Sequence, residues 1–374
     1  IAMIILTLLG FLGVASFISF AASANGDQVD LPTTGVLEIK LGDVVPEKTN
    51  NAQMTTFSFE NNEIVGLQDM ISLIEIAQED ERIQGIYINS STSTLNRASS
   101  SAIRRALQKF RESGKFVYAY NLAYTQSTYH LASVADSVFM NPNGVLDFRG
   151  FGVTLPFIKD FLNKIGVESQ VFYAGDFKGA TEPLRRMDLS EENRLQIREY
   201  LRDLYNVYLQ EISKDRGISA EDLESIADSF KIRNAKDAVT FGLVDKLLYK
   251  DQFIEQIRLR ANGDTSERVE VISISDYYQK KKSSILYDNG DLEVAVVYLE
   301  GSIVGQPDQP GNISERKYMK IFRKIREDDE TKAVVLRINS GGGSAIVSDN
   351  LAREIDLIKE KGINPARVHI KDEL

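Results

Sequence analysis

The sequence predicts an α/β fold built from two copies of one strand-and-helix unit behind an uncharged apolar segment. Three observations support this. Short apolar runs rich in β-branched residues alternate with segments of helical period. One constant spacing relates two distant stretches of the chain, and the first 26 residues carry no charged side chain.

Taken in order, residues 1–26 are mostly Ile, Leu, Phe, Ala and Val. At about 1.5 Å per residue such a helix exceeds the ~30 Å hydrocarbon core of a bilayer, so the segment reads as a transmembrane anchor. A cleaved signal peptide is the alternative, and Ala22-Ser23-Ala24 is compatible with processing, but the run is longer than the ~7–15 residue core of such a peptide. Asp27, Asp30 and Glu38 precede the first basic residue, Lys40, which puts this flank on the non-cytoplasmic side. The first residue is Ile1, so the reading frame is expected to start upstream. Strands are expected at Gly35–Leu41, Gln84–Asn89, Phe116–Tyr120, Ser137–Met140, Val294–Leu299 and Ala333–Ile338. Helices are expected at about 65–78, 99–113, 190–214, 220–229 and 235–241, and the polar stretch from Lys280 to Asp291 reads as a linker.

Gly114 and Gly362 lie 248 residues apart. The same offset carries Asp80 onto Asp328, Arg105 onto Arg353 and Glu112 onto Glu360, and the helix face Ile103, Leu107, Phe110 onto Leu351, Ile355, Ile358. Leu37–Val45 matches Val296–Val304 at an offset of 259, with Gly42 on Gly301. The expected organisation is therefore an anchor at 1–26, a first α/β domain at 27–285 with a helical extension at about 190–262, and the start of a second α/β domain at 286–374.

A formal charge of −10 argues against nucleic-acid binding, while 43% apolar and 26% charged residues is an ordinary globular balance. The chain has no cysteine, and its only histidines are His130 and His369. Disulfides, thiolate zinc sites and cysteine nucleophiles are excluded, so no metal or cofactor is expected. Hydrolytic chemistry would draw its base from lysine or a carboxylate.

The copies differ at Asn339–Ser344, where three glycines separate strand from helix; the same offset in the first copy gives Ser91–Asn96. Glycines let backbone N–H groups face a ligand closely, and two such donors beside a helix N-terminus suit a developing oxyanion. The simpler reading is a flexible βα turn. A phosphate-binding loop is excluded, since no Gly-Lys-Ser/Thr follows.

Tyr173–Pro183, the helix after it, Gly242–Asp245 and the Asn339–Ser344 turn together resemble bacterial signal peptide peptidase, protease IV, in its long duplicated form. The resemblance runs from Asp30 to about Lys361. It implies two tandem crotonase-like (Clp-protease-like) domains and hydrolysis of cleaved signal peptides by a serine–lysine dyad. Lys178 stands at the general-base position, and the apolar run Val171–Gly175 before it would allow the burial that lowers a lysine's pKa. On its own, Lys178 reads as a solvated lysine. Gly342 and Gly343 match the family's oxyanion turn, with Gly341 where proline is common, a change that loosens the turn without removing donors.

The family's Ala-Ser-Gly-Gly-Tyr-Tyr nucleophile turn is absent. Within Tyr124–Ala132, anchoring on Tyr129 and Ala132 puts Gln126 at the nucleophile position, and the repeat offset carries Gln126 onto residue 374. The second copy is thus expected to be truncated or frame-shifted before its serine. Its end, Ile363–Leu374, lacks the expected apolar strand, and the terminal Lys371–Leu374 matches an ER-retention signal by coincidence. Ser127 is followed by Thr128 rather than glycine and makes a poor nucleophile. Ser344 is expected to cap the next helix, and His130 to pack beneath the sheet edge.

The resemblance implies a single-pass serine–lysine endopeptidase of the bacterial inner membrane, its soluble part on the periplasmic side, acting as a homo-oligomer on apolar signal-peptide-like segments. An inactive membrane-anchored peptide-binding or scaffold protein of the same fold is the alternative. Acyl-CoA chemistry, a third use of such folds, is disfavoured by the anchor and the Lys178 context. Protease added to intact spheroplasts is expected to digest the part beyond residue 26. Survival of that part until lysis would reverse the assigned orientation.

Overall fold

Parallel strands bury both faces, which explains why these apolar runs are near-continuous rather than alternating. The computed structural model describes residues 32–41, 45–49, 64–90, 95–265, 268–285, 293–306 and 308–369. The proposed anchor at 1–26, Gly42, Ser91–Thr94, most of the polar stretch after residue 285 and the terminal Lys371–Leu374 lie outside them. Among the described residues no helix is long and apolar enough to cross a membrane.

Strands β1 (Gly35–Lys40), β2 (Ile83–Asn89), β3 (Phe116–Tyr124) and β4 (Ser137–Leu146) lie side by side, every pair parallel. Two short strands complete the six-stranded sheet, β5 (Lys246–Leu247) beside β4 and β6 (Glu270–Ser273) beside β1. At two and four residues they are too short to carry an apolar run, so the sequence does not announce them. The helices are α1 (Leu67–Glu79), α2 (Arg97–Glu112), α3 (Gln126–Ala132), α4 (Lys159–Lys164), α5 (Glu182–Arg185), α6 (Glu191–Arg216), α7 (Ala220–Asp228), α8 (Ala235–Thr240), α9 (Lys250–Asn262) and α10 (Ile274–Lys281).

One face of the sheet is aromatic. Val36, Tyr87, Phe116, Tyr120 and Phe139 pack with Phe253 and Ile257 of α9, and Tyr120 stacks on Phe253 with ring centroids 4.8 Å apart. Leu37, Ile39, Ile86 and Ile88 alternate with these residues and are fully buried on the opposite face.

A second, three-stranded parallel sheet follows, from β7 (Glu293–Glu300), β10 (Thr331–Asn339) and β11 (Asn364–His369), with β8 (Ser302–Val304) pairing β9 (Asn312–Ser314) beside it. Val297, Leu299, Val334 and Leu336 form its core with Tyr318 and Phe322 of α11 (Glu315–Glu327) and Val347, Leu351 and Ile358 of α12 (Ala345–Glu360). The 248-residue offset carries both ends of α1 onto α11 and both ends of α2 onto α12, and the first residues of β2 and β3 onto those of β10 and β11. Contrary to the expectation that the tail lacks a strand, β11 pairs with β10 from Ala333–Asn364 to Ile338–His369. Pro365 is tolerated there because an edge strand need not donate every N–H. Buried Glu47 joins the two sheets: its N–H donates to Glu300 Oε1 at 2.9 Å and its carboxylate pairs with Arg337.

Helix α6 is held to the first sheet's layer by a buried polar seam. Arg104 of α2 donates to the His130 carbonyl, to Ser133 Oγ at 2.8 Å and to Asp215 of α6. His130 lies inside α3, fully buried, and bridges Ser100 Oγ (2.7 Å to Nδ1) and Glu211 Oε2 of α6 (2.5 Å from Nε2). Burial pushes the imidazole pKa well down despite Glu211, so the ring is neutral, with Nε2–H donating to the carboxylate and Nδ1 accepting from the serine. Burial alone would raise the Glu211 pKa, but His130 and Arg104 hold it below the usual range.

These shifts set a pH dependence. His130 protonates in the unfolded chain below about 6.5 but not in the fold, so its contribution is full above that pH and is lost as pH falls. The Glu211 contribution is likewise lost on acidification, but only below its ordinary value of 4.5. Denaturant midpoints are therefore expected to fall between pH 6.5 and 5, approaching about 1.4 kcal/mol per pH unit for one proton. His130→Gln should remove most of that slope; an unchanged slope would mean that His130 is not held neutral.

Candidate active site

After β4 the chain leaves the sheet, and residues 151–190 carry only the short helices α4 and α5 and a 3₁₀ turn at Gly179–Thr181 before α6 begins. Lys178 sits in a turn in which its N–H donates to the Gly175 carbonyl at 3.3 Å, with Gly175 at φ 93°. Its side chain is exposed and pairs with no acid among the described residues. The neighbouring aromatics do not bury it: Phe172 is 94% exposed, Tyr173 53% and Phe177 56%. The burial expected from the apolar run Val171–Gly175 is therefore not met, because no sheet or long helix covers this segment among the described residues.

What fixes the turn is a carboxylate that the sequence reading missed. Glu182, fully buried, accepts from the Ser190 N–H and from Asn193 Nδ2, both at 3.1 Å, while Arg185 stands 3.7 Å away and also lies over the Tyr173 ring. Ser190 is the N-cap of α6 and accepts from the Asn193 N–H. A capping box would put Glu or Gln at position 193 to satisfy the Ser190 N–H; the asparagine there was the available signal that another acceptor does so.

The glycine turn lies between β10 and α12. Ile303 N–H donates to the Gly342 carbonyl (3.0 Å) and Ser344 N–H to the Ile303 carbonyl (2.9 Å), so Gly343 bridges to β8. Gly342 and Gly343 have φ of 108° and 154°. A Cβ on Gly343 would run into the Ile303 backbone, whereas at Gly342 nothing lies within 4 Å. The Gly342 N–H is taken by Ser340 Oγ at 3.1 Å. The Gly343 N–H has no acceptor among the described residues and the residue is exposed, leaving it as the open donor. Ser344 caps α12 as expected, accepting from the Val347 N–H.

Gln126 is the first residue of α3, just after β3 and the cap Thr125, and its side chain accepts from the Arg149 N–H. Ser127 follows within the helix, partly buried. No hydrogen bond or ion pair joins the Lys178 turn to the Gly342–Gly343 turn among the described residues. The structure therefore displays each feature on its own element without bringing them into contact.

Residues 109–263, which run from the end of α2 through the Lys178 turn and α6 to the end of α9, match the Peptidase family S49 model. The resemblance read from the sequence is borne out by individual relatives. The chain is 30% identical to "Protease 4" of Salmonella typhi over 90% of its own length and 57% of that protein. It is 27% identical to "Protease 4" of Haemophilus influenzae over 79% and 49%, and 30% identical to "Serine protease SPPA, chloroplastic" of Arabidopsis thaliana over 76% and 42%. The chain spans about half the length of these curated relatives.

The two glycines should respond differently to substitution. Gly342→Ala is expected to cost about 1–2 kcal/mol for its left-handed backbone, and Gly343→Ala clearly more, because the β8 contact must also open. Equal losses in thermal unfolding would show that the turn does not close on Ile303.

Proposed function

We propose that this chain carries the general base, Lys178, and the oxyanion turn of a serine peptidase of the S49 type that acts on apolar, signal-peptide-like segments. The observation that carries the reading is the open Gly343 N–H at the N-terminus of α12, in a chain whose family match encloses the Lys178 turn. An N–H there can receive the negative charge that develops on a scissile carbonyl oxygen. In this reading Gly342 contributes a second donor once its N–H leaves Ser340. The repeat offset carries Thr125–Gln126 onto Glu373–Leu374, so in this reading the nucleophile is a serine in a form that bears the family's turn at that place.

The serine hydroxyl adds to the carbonyl carbon while Lys178 takes its proton; the resulting ammonium then protonates the departing amine, and water hydrolyses the acyl-enzyme. A lysine serves this role only when desolvated. The exposed Phe172, Tyr173 and Phe177 suit that requirement, since an apolar peptide or a second copy docking there would exclude water from Lys178. With this go two tandem crotonase-like units, an anchor at residues 1–26 and a soluble part on the periplasmic side of a bacterial inner membrane.

The competing reading is a peptide-binding or scaffold protein without turnover, and it draws on Gln126 at the nucleophile position and on the exposure of Lys178. An apolar peptide ester separates the two. Residues 1–374 alone are expected to bind it without an acyl-enzyme burst. A form carrying the second-copy serine should turn it over and lose at least about 10²-fold in kcat with Lys178→Ala. Unchanged turnover in the lysine variant would remove the dyad, and a burst in residues 1–374 that vanishes in Ser127→Ala would move the nucleophile to Ser127.

A further inference from the structure

Among the described residues the Lys178 turn has no covering layer, yet its position relative to the sheet must be set by something. We propose that Glu182 is a positioning residue that locks this turn onto the N-terminus of α6, and so onto the sheet layer through the Arg104 seam. The inference rests on the reading of Lys178 as the base.

Three features of the geometry carry it. Glu182 is the one fully buried residue in an otherwise open segment, and a buried carboxylate persists only where charge and hydrogen bonds hold it. Its Oε2 accepts from Ser190 and Asn193, two residues at the first turn of a 26-residue helix, where the helix dipole favours negative charge. Its Oε1 has no hydrogen-bond partner among the described residues, and Arg185 stands 3.7 Å from it. Burial would raise this carboxyl's pKa, but the hydrogen bonds from Ser190 and Asn193, with the charge of Arg185, bring it below the ordinary value, consistent with an anion at neutral pH.

The lock reaches the lysine through its next residue. A Cβ on Gly179 would overlap the Asn193 side-chain amide. That amide is not free to swing aside, because Glu182 holds it from one side and the Ser190 cap fixes its backbone. Glycine is needed at 179 for this contact alone, since its φ is not in the left-handed region. Asn193 therefore sits against the peptide unit that follows Lys178, and Glu182 keeps it there. The Glu182 N–H also closes the short 3₁₀ turn by donating to the Gly179 carbonyl.

Native-state tryptic cleavage after Lys178 reads the lock directly, because the protease can act only when the turn opens. Loss of hydrogen bonds to a buried charge is expected to raise that cleavage about tenfold in Glu182→Ala. Glu182→Gln, which keeps an acceptor oxygen, should raise it only a few-fold. Gly179→Ala and Asn193→Ala should resemble Glu182→Ala, and Glu182→Ala combined with Asn193→Ala should be no worse than either alone, since all act on one contact. Cleavage after Arg260 in α9 should stay unchanged. A uniform rise at both sites, additive effects of the two substitutions, or no rise after Lys178 would each overturn the lock, whatever Lys178 does chemically. In the serine-bearing form, Glu182→Ala should lower kcat with KM unchanged, with partial rescue by Glu182→Gln. An open turn with unaltered kcat would overturn the positioning role. If Lys178→Ala also left kcat unaltered, the failure would lie with the lysine as base and the lock itself would stand.

Discussion

The buried guanidinium of Arg104 is the constraint on which the first layer depends. A charge at that depth is tolerated only with its partners in place, and they come from two elements far apart in sequence: the His130 carbonyl and Ser133 of the α3 region, and Asp215 of α6. Helix α6 cannot dock elsewhere without leaving that charge unpaired. Tyr208, Leu209 and Ile212 of α6 add apolar burial on the same side, but burial does not specify register, and directed hydrogen bonds do. Everything between β4 and α6, including the Lys178 turn, takes its place from a helix fixed in this way.

The strands of the first sheet were legible because parallel pairing buries both faces and so writes uninterrupted apolar runs into the sequence; β7 carries such a run with Val294 and Val296 exposed. The five helices given bounds from caps and periodicity end within two residues of those expected, and Ser190 before α6 is a clear instance; α9, α11 and α12 were given none. Edge elements were not. β5 and β6 owe their existence to neighbouring strands with open hydrogen-bonding edges, and β11 forms beside β10 despite Pro365 and Arg367, which no local pattern would favour.

At the candidate site, residue types were legible and environments were not. The glycine turn could be read from its letters, but that Gly343 is pinned to Ile303, with Gly342 donating to Ser340, depends on a strand some 40 residues earlier. The apolar letters before Lys178 suggested burial; whether they are buried depends on what else reaches them. Glu182 escaped notice because it acts across eight residues, outside the three- and four-residue windows in which helix caps are recognised. His130 was placed near the sheet, but its partner Glu211 lies 81 residues on, beyond any local pattern.

The matching lengths of α2 and α12 carry a hazard for biosynthesis. Two helices with the same number of residues and the same apolar spacing, each beside a parallel sheet, could exchange places as the chain emerges, and hydrophobic burial would scarcely register the error. The position equivalent to Arg104 in α12 is Ala352. A mispaired α12 would leave Asp215 buried without its cation, a penalty of about 3–5 kcal/mol for a broken buried pair. The Arg104 seam thus works as an address: it admits one of two look-alike helices and rejects the other.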